Sequence, residues 1–179
     1  MHDLILFWHR RDLRISDNIG LAAARQQSPK VAGVFCLDPN ILQRDDVAPA
    51  RMKYMIGCLQ ELQQRYAEAG SQLLILPDEP KQAIPRLAAA LNAKAVFWNR
   101  DVEPYAKERD RIIADALKEK GIAVQNFWDQ LLHSPEEIRT GSKQSYTVYS
   151  PFWKNWSSKP KAAPVEMFQN GITLTAAEK

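Results

Sequence analysis

The chain has 179 residues, a formal net charge of +3, 45% hydrophobic and 25% charged residues. These proportions suit a globular domain with a tail, and they exclude a disordered, collagen-like or disulfide-scaffold chain. The charge is too small to argue for nucleic acid, no apolar run approaches the ~18 residues of a membrane span, no signal-peptide pattern opens the chain, and Cys36 and Cys58 lack metal-ligand spacing; a reduced, cytoplasmic protein with no membrane partner is expected.

Residues 4–8 form a short apolar run, as a buried parallel strand does. Ser16 or Asp17 can cap a helix reaching Gln27. Residues 31–37 make a second strand. A helix is expected over 48–69, where Met52, Met55, Leu59, Leu62 and Tyr66 share one stripe, Pro49 stands near the start and Gly70 lies just past the end. A third strand follows over 72–76, then a helix over 80–91 opened by Pro80. A fourth strand spans 95–98, and a helix over 104–120 runs between Pro104 and Gly121. Residues 124–128 complete five strands. The alternation predicts an α/β fold: an open, doubly wound, five-stranded parallel sheet of order 3-2-1-4-5 with helices on both faces.

Composition changes near residue 133. Residues 1–133 contain no Thr and only Ser16, Ser28 and Ser71, whereas 134–179 are rich in Ser, Thr and Pro. The first part is read as a packed α/β domain (1–133), the second as an extended C-terminal strap (134–179). Its aromatic run from Tyr146 to Trp156, with Lys154 inside it, suits packing onto this or another domain, or a platform for single-stranded nucleic acid.

Self-contained catalytic motifs are missing. No glycine pattern makes a dinucleotide fingerprint or a P-loop, and no Ser sits in a nucleophile elbow. His2, His9 and His133 are scattered, without a metal-ligand partner at the usual spacing. Attention therefore falls on the carboxyl ends of the strands, where open α/β sheets bind ligands at the point of strand-order reversal. The first strand ends in His9-Arg10-Arg11-Asp12, the second in Cys36-Leu37-Asp38, the fourth in Asn99-Arg100-Asp101-Val102-Glu103. These segments make either a polar pocket for a planar ligand, walled by Phe35, Trp98 or Tyr105, or a salt-bridge cluster tying two loops. Arg51, in the first turn of a helix, opposes the helix dipole, so a carboxylate or a ligand oxygen should compensate it. Met52, Met55 and Cys58 suit core packing or a cofactor wall.

Four segments in order carry a resemblance. They are Trp8-His9-Arg10-Arg11-Asp12-Leu13-Arg14 with Asp17-Asn18; Phe35-Cys36-Leu37-Asp38-Pro39; Asn99 to Tyr105 with Arg109-Asp110; and Tyr146 to Lys154. Together they resemble the N-terminal domain of the DNA photolyase/cryptochrome family, in particular its cyanobacterial, deazaflavin-type pyrimidine-dimer photolyases. The resemblance implies an antenna-pigment domain whose partner is a C-terminal helical domain that holds FAD, contacts DNA and splits pyrimidine dimers. A chain of this extent is then a monomer that repairs nothing by itself. The implied pigment is 8-hydroxy-5-deazaflavin, with methenyltetrahydrofolate and FMN as the alternatives. By the same resemblance Arg51, Asp101 and Glu103 contact the pigment, Phe35, Cys36 and Leu37 line its ring, and Arg10 and Arg11 sit beside it. A cryptochrome-type light sensor shares this domain, and a stand-alone nucleotide-binding α/β module is a further reading that lacks a glycine-rich phosphate loop.

Overall fold

Five strands form one parallel sheet in the order β3-β2-β1-β4-β5. The structure is a computed structural model and describes residues 3–45, 47–172 and 174, so His2 lies outside the described residues. The strands are β1 (Ile5–His9), β2 (Val31–Cys36), β3 (Leu73–Leu76), β4 (Ala95–Asn99) and β5 (Ala123–Phe127). Between them run α1 (Ile19–Gln27), a short α2 (Pro39–Leu42), α3 (Pro49–Glu68), α4 (Pro80–Ala90) and α5 (Pro104–Glu119). The register sets Ile5 beside Val31 on one side and Ala95 on the other. β1, β2 and β4 are buried along their whole length, which explains why they read as unbroken apolar runs.

Each sheet face has its own core. Leu6, Trp8, Val34, Val96 and Trp98 pack under Ile84 of α4 and Ile113 and Leu117 of α5. On the opposite face Ile5, Phe7, Val31, Phe35 and Phe97 meet Leu21 of α1 and Leu59, Leu62 and Tyr66 of α3. Proline opens α3, α4 and α5 at the first helical positions, where its missing N–H costs nothing. The cap of α1 is Asn18, whose side chain accepts from the Leu21 amide, rather than Ser16 or Asp17.

The strap departs from the extended expectation. Tyr149–Ser158 is a helix, α6. Phe152, Asn155, Trp156 and Lys159 recur at helical spacing, and this face packs on the preceding loop. The Phe152 ring lies 6.2 Å from Tyr146, Trp156 lies 5.8 Å from His133, and the Asn155 amide donates to the Arg139 carbonyl at 3.0 Å. Beyond α6 the chain returns to the α/β layers. Phe168 is buried against Tyr66 and donates its amide to the Ile15 carbonyl, while Asn170 Oδ1 accepts from the Val31 amide. Among the described residues, no helix is long and apolar enough to cross a membrane.

Candidate functional site

The sheet order reverses at β1, whose neighbours β2 and β4 carry the chain away in opposite directions. A cleft of about 250 Å³ opens there, at the carboxyl ends of the strands. That volume is near the lower end of ligand pockets, enough for a ring system whose polar tail stays outside.

The loop after β1 is held from below. The Asp12 carboxylate is buried and accepts from the Arg10 amide at 2.8 Å and from Asn99 Nδ2 at 2.7 Å. Asn99 also donates to Asn18 Oδ1 and accepts from the Gly20 amide, so one polar knot joins β1, α1 and β4. His9 Nδ1 donates to the Asp12 carbonyl, which leaves Nε2 to accept from the Tyr66 hydroxyl at 2.7 Å. Burial pushes the His9 imidazole below its ordinary pKa and the Tyr66 phenol above its own, so both stay neutral.

With the loop fixed, its arginines take separate roles. Arg10 Nη1 alone donates to both Asp110 carboxylate oxygens, at 2.8 and 2.7 Å, and Arg109 donates to the same carboxylate. The Arg10 and Arg109 guanidinium carbons lie 5.1 and 4.8 Å from the Trp8 ring centroid. Two cations thus share one carboxylate under an aromatic wall, and Arg10 Nη2 is buried with no hydrogen-bond partner among the described residues. Arg11 instead reaches across the mouth, donating to Glu103 at 2.6 Å and standing 3.6 Å from Asp101. Asp101 Oδ1 accepts from the Glu103 amide, which sets the turn into Pro104 and α5.

The structure brings Arg10, Arg11, Phe35, Cys36, Asp101 and Glu103 to this cleft. Leu37 turns instead toward the α1/α3 face of the core. Arg51 is exposed in the first turn of α3 and is not part of the lining, although it stands one helical turn before Met55, which is. Trp98 is no wall: it packs 5.8 Å from Trp8 but, unlike Trp8, is not part of the lining. Tyr105 does line the cleft, its hydroxyl donating to Asp38 at 3.2 Å. Burial pushes the Cys36 thiol up to about 12, so at neutral pH it is a small apolar wall and not a nucleophile.

Sequence reasoning did not assign Trp8, Ile41, Pro80, Ala106 and Arg109 to the site. Arg109 carried a readable signal: it sits one turn after Tyr105 on a helix that begins at the cleft. The others come from segments that only the fold brings together.

Comparison with known proteins agrees with this geometry. The chain matches the family model for DNA photolyase over residues 5–169. It is 62% identical over 161 residues to a deoxyribodipyrimidine photo-lyase of Synechococcus sp. (strain PCC 6301), covering 90% of this chain and 33% of that protein. It is 57% identical over 177 residues to an uncharacterized 31.6 kDa protein of Synechococcus sp. (strain PCC 6716), covering 99% of this chain and 62% of that one. A class III photolyase from Agrobacterium tumefaciens superposes with a TM-score of 0.85 at 27% identity, over 98% of this chain and 36% of that chain. An archaeal photolyase from Sulfolobus tokodaii, described with two FAD molecules, superposes with a TM-score of 0.84 at 26% identity, over 97% of this chain and 39% of that chain. The chain spans about a third of the length of the photolyases it matches. Its sheet order, its cleft at the reversal and its sequence agree on one conclusion: the chain belongs to the DNA photolyase family.

Proposed function

We propose that this chain is the antenna domain of a light-driven DNA-repair enzyme, and that its cleft holds 8-hydroxy-5-deazaflavin. When bound, the pigment supplies light absorption, and excitation passes through space to FAD in a further, helical domain that contacts DNA and splits pyrimidine dimers. The observation that carries the reading is the lining itself. Trp8, Phe35, Met55 and Tyr105 offer apolar surface to a flat ring, beside the excess cation of Arg10 and Arg109 and the carboxylates Asp101 and Glu103. A deazaflavin presents a phenolate and carbonyl oxygens, which suit arginine donors, and ring N–H and ribityl hydroxyl groups, which suit carboxylate acceptors.

The Arg11–Glu103 pair fits this use. Both side chains are more than half exposed, so the pair is worth no more than about 1 kcal/mol, and a ligand can re-form it at little cost. Arg51 lies outside the lining, one turn before Met55 on α3, and its part in this reading is to meet a portion of the pigment that reaches beyond the cleft.

The test is a fluorescence titration of the chain with 8-hydroxy-5-deazaflavin, methenyltetrahydrofolate, FMN and FAD. Saturable binding of the deazaflavin alone is expected. The variant Asp101→Ala with Glu103→Ala should bind at least about tenfold more weakly, since a hydrogen bond to a charged group contributes about 1.5–3 kcal/mol. Preferential binding of another of the four would replace the pigment assignment. Equal affinity in the double variant would remove these carboxylates from the site.

A further inference from the structure

The strap carries a charge pattern that pigment binding does not use. From residue 139 to residue 165 there are five cations, Arg139, Lys143, Lys154, Lys159 and Lys161, and no Asp or Glu. None of the five forms an ion pair with a carboxylate among the described residues. The segment is one structural unit. Asn155 of α6 donates to the Arg139 carbonyl and to the Tyr146 hydroxyl, so the loop bearing Arg139 and Lys143 is fastened to the helix bearing Lys154. Lys161 folds back on the end of α6, donating to the Trp156 carbonyl with its ammonium 4.3 Å from the Trp156 ring. On the outer face Tyr149 is 73% and Trp153 50% exposed, one helical turn apart and beside Lys154.

We infer that α6 and its loop form a surface for a DNA strand, with the lysines meeting phosphates and Trp153 stacking on an unpaired base. An unpaired cationic face with exposed aromatic rings is what a nucleic-acid strand requires: phosphate neutralisation, and a flat apolar surface for bases. Burial under another protein domain suits this face poorly, because interface cores are depleted in lysine. The choice of DNA among polyanions rests on the photolyase reading above, and the contact adds a DNA-binding element within the antenna domain itself.

The experiment is an anisotropy titration of the chain with labelled oligothymidylate of about 15 nucleotides at low salt, with tryptophan fluorescence followed in parallel. Binding in the range of about 1–100 μM is expected, with quenching of Trp153. Lys143→Ala with Lys154→Ala, both exposed, should weaken binding about tenfold and reduce the slope of log K against log salt by about 1.4. Trp153→Ala should weaken it about tenfold and abolish the quenching. All three positions are exposed, and circular dichroism checks that the variants fold. No binding by a folded chain would overturn the inference. So would affinity unchanged in these variants, or equal affinity for polyglutamate. Because pigment titration is read separately, an antenna domain that binds its pigment but no DNA would refute this surface alone.

Discussion

His9 is where the loop that bears Arg10 and Arg11 meets the core. Its ring is fully buried, bonded on one side to the Asp12 carbonyl and on the other to Tyr66. The motif around it was visible in the sequence, but its duty was not, because Tyr66 lies 57 positions away and only packing makes them partners. Burial lowers the His9 pKa from the ordinary 6.5. Below about pH 6.5 the unfolded chain therefore takes up a proton that the folded chain refuses. Stability should fall with pH in that window, by up to about 1.4 kcal/mol per unit, until the folded-state pKa is reached. Thermal melts between about pH 7.5 and 5.5 measure this slope, above the range in which ordinary carboxylates titrate. His9→Gln should flatten it; an unchanged slope in that variant would assign the proton elsewhere.

At the scale of elements, the apolar runs and the proline–glycine punctuation were sufficient to place five strands and four long helices within a residue or two of where they lie. Short α2 escaped notice because four residues carry no periodicity. α6 escaped for another reason. Tyr, Ser, Pro and Trp are weak helix formers, and the segment is helical because Phe152 and Trp156 find Tyr146 and His133 to pack on. Close packing also fixes one glycine. A Cβ at Gly33 would lie 2.6 Å from Tyr66 Cζ and 2.9 Å from the Tyr66 hydroxyl, so α3 approaches β2 only because that side chain is absent. Gly33→Ala should cost about 1–3 kcal/mol in urea unfolding, by displacing Tyr66 from its bond to His9. Wild-type stability would show that Tyr66 can move without loss.

For the molecule as a whole, the strap closes what the sheet leaves open. Residues beyond α6 bring Phe168 onto Tyr66 and Asn170 onto the start of β2, tying the tail to the same α3 face that supports the cleft from behind. Phe168→Ala should lower stability by about 3–5 kcal/mol, and limited proteolysis should then cut near residues 163–172 before it cuts the α/β layers. Resistance equal to the unaltered chain would mean that the tail is held by its backbone bonds alone.

The sequence by itself determined the layers. Fully buried strands must be apolar throughout, helices between them must be amphipathic, and right-handed crossovers then leave little freedom in topology. It also marked the strand ends where Arg10, Arg11, Asp101 and Glu103 would gather, because a ligand site in such a sheet lies at the strand-order reversal. Tertiary structure decided which residues became neighbours. It paired Arg10 with Asp110 and Arg11 with Glu103, set Trp8 rather than Trp98 at the wall, and left Arg51 outside the lining. It also folded Tyr149–Ser158 of the strap into a helix. Periodicity reports which face of an element is buried; it carries no information on which distant side chain shares that burial, and both site chemistry and charge pairing depend on that.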